Sequence, residues 1–350
     1  METNRKIAVV ALSGGLDSSV TALLLQQEGY EVIGLTGKMF DSDASHAIIQ
    51  NAKLVADKLN IKHYVFDACD CFRHNVIDNF INSYSCGMTP NPCILCNQCV
   101  KWGKLFDFAF QELKADVFAT GHYANIVEKD GVFKLYPASD EHKDQLYFLY
   151  RLDQKVLSKT LFPLSQYKKE EVRAIAQKHD LPTKSAKESQ DICFIQKPLT
   201  TKKYLLENLI PQKGDFIELT TGKKLGEHAG HFQYTIGQRK GIGIAYPYPL
   251  YVVAIDAQKN IVYVGAEEHL RKQIVVAKDV NLIYPCESLE FDALVKIRYN
   301  MAPQKAKVLI QKEIITAEFY ESVNSVTPGQ SLVVYDLSER YLIGGGVIVY

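Results

Sequence analysis

The 350-residue chain is predicted to be α/β, with a parallel-sheet domain first, a small mixed central domain next and a C-terminal β-barrel last. Three observations predict this order. Strand and helix signals alternate through the first half. After about Ile210 helical periodicity nearly vanishes and turn-rich sequence takes over. From Ile274 onward, short alternating runs are separated by Pro, Gly and Asn, the spacing of a small barrel. A chain this long exceeds what one core organises, and domain boundaries at 1–204, 205–272 and 273–350 follow.

The first half opens as βαβ. Ile7 to Leu12 is an apolar strand, Ser18 to Gln27 a helix closed by Gly29, and Glu31 to Leu35 the next strand. Ala47 to Leu59 places Ile48, Ala52, Val55, Ala56 and Leu59 on one helical stripe, with Asn60 as terminator before a strand at Lys62 to Phe66. Helical spacing resumes from Trp102 to Leu113, and Val117 to Thr120 reads as a buried strand ending at Gly121-His122. Ligands of such sheets sit at the carboxyl ends of strands, which marks both Ser13 to Ser18 and Gly121. In the last third the runs Leu294 to Ile297, Lys305 to Leu309, Ile314 to Phe319, Ser331 to Val334 and Leu342 to Val349 are the expected barrel strands.

Composition limits the function classes. Forty basic and forty acidic residues cancel, so a polyanionic partner would be met by local patches rather than by global charge. One such patch is Lys168 to Lys187, which reads equally well as a solvated helix face. The polar start and the short apolar run after it are too short for a secretory segment or a membrane span, and a cytoplasmic location is expected. Eight cysteines without a secretory segment fit a reducing compartment, where their work is packing, metal binding or chemistry.

Ser13-Gly14-Gly15-Leu16-Asp17-Ser18-Ser19 follows a strand and opens a helix, so its backbone amides and the helix N-terminus can cradle phosphate. No lysine follows the glycines, which excludes the Walker A type. The loop resembles that of the ATP pyrophosphatases, which split ATP between its α and β phosphates. Asp17 is expected to hold Mg²⁺ or to orient the loop. The second cluster, Met88-Thr-Pro-Asn-Pro-Cys93-Ile-Leu-Cys96-Asn-Gln-Cys99, fixes an extended loop before a helix, where a thiol is expected to have a lowered pKa. Its far counterpart is Ser189-Gln-Asp191-Ile-Cys193-Phe-Ile195. Alone, Cys193 between apolar residues reads as buried filler.

Taken together, the loop, TPNPxxLCN, ATGHYA at Ala119 to Ala124, KDQLYFL at Lys143 to Leu149, QDICFI, TIGQRKGIGI and TPGQS resemble the bacterial tRNA-specific 2-thiouridylase family over nearly the whole chain. The resemblance implies an adenine-nucleotide (pyrophosphate-loop) domain and a sulfurtransferase. Such an enzyme adenylates the 2-oxygen of the wobble uridine and replaces it with sulfur, releasing AMP and pyrophosphate. By resemblance Cys96 is the nucleophile and Cys193 carries the persulfide. It also implies that Ala11, Leu12, Ser13, Gly14, Gly15, Leu16, Asp17, Ser18, Gly37 and Gly121 line the ATP pocket. Asn91, Pro92 and Cys93 meet the target base. His122, Lys143, Asp144, Gln145, Arg298, Tyr299 and Gln330 contact tRNA. The implied partners are tRNA acceptors for Lys, Glu and Gln and a sulfur source, either a persulfide donor protein or sulfide. The C-terminal barrel is expected to share in tRNA binding.

Many members of the family read NPD where this chain has Asn91-Pro92-Cys93, so a candidate acid or base is missing. Cys93, Cys96 and Cys99 form C-x-x-C-x-x-C, a spacing that resembles iron–sulfur ligand runs. Two routes for sulfur therefore stay open. In the first, Cys193 carries the sulfur and Cys96 resolves it, leaving a Cys96–Cys193 disulfide. In the second, Cys93, Cys96 and Cys193 hold a 4Fe-4S cluster. The rival functions are another adenylating pyrophosphatase of amidotransferase or synthetase type, which would need no paired cysteines, and a non-catalytic RNA-binding module with a vestigial loop.

Overall fold

The computed structural model describes residues 5–186, 192–284 and 289–349. Lys187, Ser189, Gln190, Asp191 and Cys286 lie outside the described residues. The chain divides into two compact units. One comprises Met1–Val76, Cys93–Gln190 and Arg340–Leu342, and the other Ile77–Pro92, Asp191–Glu339 and Ile343–Tyr350.

The first unit is built on a five-stranded parallel sheet. In chain order its first elements are strand β1 (Ile7–Ala11), helix α1 (Leu16–Gln27), strand β2 (Glu31–Lys38), helix α2 (Asp43–Leu59), strand β3 (Lys62–Asp67) and strand β4 (Val117–Ala119). A separate hairpin, β5 (Asn125–Lys129) with β6 (Val132–Tyr136), precedes the short edge strand β7 (Thr160–Leu161). The sheet order is β3-β2-β1-β4-β7, with Ala8 level with Val32 on one side and with Val117 on the other. β1 and β4 are buried on both faces, which is why both read as uninterrupted apolar runs. The core packs Val10, Leu12, Val20, Leu25, Val55 and Leu164 around this sheet.

Two helices differ from expectation. α2 starts at Asp43, earlier than the apolar stripe, because Ser42 caps it by accepting from the Ser45 amide at 3.2 Å. Its foreseen stripe is buried except for Ile48, which is 37% exposed, and Asn60 ends it in the left-handed conformation at φ 52°. The helix foreseen from Trp102 begins at Cys96 as a π-helix (Cys96–Leu105) and only then becomes α-helical at Phe106–Gln111. Such i→i+5 windings are rare and concentrate at functional sites.

The second unit holds two β assemblies. Strands β8 (Gly214–Glu218), β9 (Lys224–His228), β10 (Tyr251–Asp256) and β11 (Ile261–Gly265) form a sheet in the order β10-β11-β8-β9, packed on Phe216, Val252, Val262 and Val264. The closed six-stranded barrel runs β12-β15-β14-β13-β16-β17. Its strands are β12 (Arg271–Leu282), β13 (Glu290–Lys296), β14 (Gln304–Gln311), β15 (Ile314–Asn324), β16 (Ser331–Asp336) and β17 (Leu342–Ile348). Five of the six cover the runs foreseen above. The strand that no alternation marked is β12, whose first four residues are all exposed and whose sequence RKQIVVAKDVNL mixes charge into the pattern.

Candidate active site

The sheet order reverses between β2-β1 and β4-β7, so the gap between the carboxyl ends of β1 and β4 is a topological switch point. Ala11 and Leu12 lead from β1 into the loop Ser13–Ser18, and Gly121 follows β4. The two segments press together. A Cβ on Gly121 would meet the Asp17 carbonyl carbon at 2.8 Å and the Ser18 amide nitrogen at 2.9 Å. Gly14 has φ +67°, and a Cβ there would meet the Ile48 carbonyl oxygen of α2 at 2.6 Å. Glycine is therefore required at both positions, at Gly14 by conformation and contact and at Gly121 by contact alone.

Within the loop, short-range hydrogen bonds fix the backbone. Ser13 N–H donates to Ser18 Oγ at 3.1 Å, while Ser18 Oγ and Ser19 Oγ donate to the Gly15 carbonyl at 3.2 and 2.7 Å. α1 is capped by Gly15, which has no side chain to hydrogen-bond the amides of its first turn. Those amides and the helix dipole suit an anionic ligand, and the residues present fit the phosphates of ATP. Gly37 lies at the end of β2 against Met39 and Leu105.

Asp17, expected to hold Mg²⁺ or orient the loop, is held by a lysine. Lys169 Nζ lies 2.7 Å from both carboxylate oxygens, and the Tyr123 hydroxyl donates to one of them at 3.1 Å. The ammonium takes both oxygens that a divalent ion would use, so the arrangement does not fit Mg²⁺ ligation by Asp17. It fits the loop-orienting role. Lys169 was within the basic stretch noticed in the sequence, yet its side chain is only 12% exposed.

A second polar chain lies just past Gly121. His122 is buried; its Nδ1 is 2.7 Å from Thr120 Oγ1 and its Nε2 3.3 Å from Lys101 Nζ. An ammonium can only donate, so Nε2 accepts, and the ring proton sits on Nδ1 and is donated to the threonine. Burial first, and the Lys101 charge second, hold the His122 pKa well below the ordinary histidine value, which keeps the ring neutral. His122 and Lys101 belong to one network here, although His122 was expected at the tRNA.

The cysteines correct two expectations. Cys93 and Cys99 are not acidified by their helical setting: desolvation raises both thiols, opposed at Cys93 by the Lys101 charge and at Cys99 by Arg151. Cys193 is not filler. It is exposed, while its neighbours Ile192, Phe194 and Ile195 join a cluster with Phe80, Tyr84, Leu205 and Phe232. Phe194 meets Phe80 edge-on at 5.3 Å. Among the described residues no group of three or more His, Cys, Asp or Glu side chains is placed to hold a metal ion. Cys93 and Cys96 belong to the first unit and Cys193 to the second.

The remaining foreseen positions are also placed. Asn91 and Pro92 follow Thr89, whose carbonyl accepts from Gln330 Nε2 at 2.8 Å and whose amide donates to the Pro328 carbonyl at 2.8 Å. The TPGQ turn of the barrel thus braces the TPNP loop within the same unit. Gln145 exchanges two hydrogen bonds with the Tyr123 backbone, at 2.9 and 3.0 Å. Lys143 and Asp144 precede it and are partly buried. Arg298 is exposed in the turn after β13, beside Tyr299, over whose ring Lys296 Nζ sits at 5.6 Å.

A parallel sheet with a lysine-free phosphate loop at its switch point defines the class of nucleotide-binding α/β domains. The matching family models agree: tRNA methyl transferase HUP domain at residues 5–197, tRNA methyl transferase PRC-barrel domain at 202–266, and Aminomethyltransferase beta-barrel domain at 272–348. The chain belongs to the tRNA-specific 2-thiouridylase family. It is 41% identical to tRNA-specific 2-thiouridylase MnmA of Trichormus variabilis, covering 98% of each chain. The protein of the same name from Pelobacter propionicus is 43% identical, over 98% of this chain and 97% of its own. Among solved structures, the U34-tRNA thiolase NcsA of Methanococcus maripaludis with its [4Fe-4S] cluster is 20% identical with a TM-score of 0.36, over 58% of this chain and 63% of that one. A likeness of that size says nothing of the ligands here.

Proposed function

We propose that this chain is a cytoplasmic tRNA 2-thiouridylase that adenylates the 2-oxygen of the wobble uridine and replaces it with sulfur. The carrying observation is the lysine-free loop Ser13–Ser18 seated at the switch point of a chain that matches the thiouridylases from end to end. The loop amides and the first turn of α1 bind the ATP phosphates, with Gly121 closing the other wall. The uridine 2-oxygen attacks the α-phosphorus as N3 gives up its proton to solvent and C2 becomes doubly bonded to N3, and the α–β bridging oxygen leaves with pyrophosphate. The carbonyl oxygen has then become a good leaving group.

Sulfur arrives on Cys193 as a persulfide, whose terminal sulfur attacks C2 and expels AMP. The Cys96 thiolate then attacks the bridging sulfur, leaving one sulfur on C2 and a Cys96–Cys193 disulfide that an external thiol reduces. Exposure of Cys193 supports a thiol that must be reloaded: the reduced thiol takes sulfane sulfur from a persulfide donor protein, or sulfide attacks the Cys96–Cys193 disulfide at Cys193 and releases the Cys96 thiolate. Mg²⁺ enters as part of the ATP chelate, with no step assigned to a protein-bound ion. The tRNA substrates are the Lys, Glu and Gln acceptors, met by Lys143, Arg298 and Tyr299 among others. Incubation with such a tRNA, ATP and a sulfur source should yield AMP, pyrophosphate and 2-thiouridine detected by nucleoside mass spectrometry. ADP and phosphate in their place would overturn the assignment.

A further inference from the structure

The departure at Cys93 removes a charged group from the TPNP loop, and the structure offers a replacement of opposite sign. Lys101 lies on the π-helix that begins at Cys96. Lys101 lies five positions after Cys96, the i→i+5 hydrogen-bond interval of a π-helix, whereas an α-helix would rotate the lysine farther from that face. The lysine is partly buried, and its ammonium is tethered to His122 Nε2 at 3.3 Å. His122 is fixed in turn by Thr120, the residue that follows β4 at the switch point. The charge also lies close enough to Cys93 to act on its thiol. One cation is thus held between the carboxyl end of β4 and the cysteine segment by a neutral imidazole that cannot neutralise it.

Resting on the thiouridylase reading, we propose that Lys101 is a catalytic residue that stabilises the negative charge sulfur addition pushes onto the pyrimidine, and that His122 is its positioning residue. In the adenylated base C2 is doubly bonded to N3. When the persulfide lone pair forms the S–C2 bond, the C2–N3 π pair moves onto N3 and the ring becomes anionic. The pair returns as the C2–O bond breaks and its electrons leave with AMP. A pre-oriented ammonium lowers the energy of that anion without reorganising, and groups of this kind contribute about 10²-fold or more to rate. Adenylation instead draws electrons out of the ring onto phosphorus, so the two half-reactions should depend on Lys101 unequally.

Lys101→Gln is the first test, because an amide still donates to His122 while the charge is gone. Lys101→Arg keeps the charge, and His122→Leu removes its tether. In single turnover with substrate tRNA, ATP and enzyme preloaded with persulfide by a sulfane-sulfur donor, pyrophosphate release and 2-thiouridine formation are followed separately. Lys101→Gln should slow 2-thiouridine formation by about 10²-fold or more and pyrophosphate release far less. Lys101→Arg should recover part of the loss, and His122→Leu should lower the thiolation rate constant with little change in KM for tRNA. Thiolation by Lys101→Gln at the wild-type rate would overturn the inference, as would a parallel fall of both half-reactions. Failure of the wild-type protein to form 2-thiouridine would instead sink the thiouridylase reading itself.

Discussion

The phosphate loop and the Cys193 segment are built in opposite ways. The loop is stiff through its own backbone: bonds among Ser13, Gly15, Ser18 and Ser19 span at most five residues, and glycines let α2 and the β4 turn close on it. The Cys193 segment instead hangs an exposed thiol between apolar neighbours anchored in an aromatic cluster with Phe80, Tyr84 and Phe232. A site that receives charge already present on its ligand gains from fixed amides that need not move. A thiol that has to be loaded and emptied gains from access, and borrows its placement from the residues on either side.

Three substitutions test this contrast. On the proposed chemistry, Cys193→Ser has the largest effect, removing 2-thiouridine formation by on the order of 10³-fold or more, because serine cannot carry a persulfide. Pyrophosphate release in a first turnover should continue, and equal loss of both would show that the segment also shapes the nucleotide site. Gly121→Ala comes next, since its methyl group would push against the backbone of Asp17 and Ser18. A displacement near 1 Å there should cost about 10²-fold in AMP release, and full activity with an unshifted melting point would refute the close packing. The smallest effect is expected from Lys169→Met, which leaves Asp17 without its cation. Both side chains are under a third exposed, so unfolding should become easier by about 1–3 kcal/mol, less than for a fully buried pair. Urea midpoints measure this, and an unchanged midpoint would mean that the pair orients the loop without stabilising it.

The contrast also explains what could be read from the sequence. The loop was legible because its glycines, its serines and the strand before it are contiguous, and the barrel strands because apolar alternation has a period of two. Lys169 was seen only as part of a basic stretch, since its partner Asp17 is 152 positions away and nothing local distinguishes a buried lysine from a solvated one. The Lys101–His122 contact needed the π-helical register, which no propensity reports. Strand β12 escaped because charged residues fill its first turnless stretch, where neighbouring strands rather than side chains define the edge. The thiol acidities were misjudged for a related reason: helix position is local, but desolvation depends on everything packed around the sulfur.

Closure of the barrel has a consequence for how the molecule is made. β17, the last strand, pairs with β12, matching Ala277 to Ile348 and Leu282 to Gly344. During synthesis the five earlier strands emerge with this edge of β12 unpaired, and it can be sealed only once β17 has left the ribosome. Deletion of β17 would therefore leave a permanent open edge, and such a variant would be recognisable by aggregation rather than by a missing catalytic group.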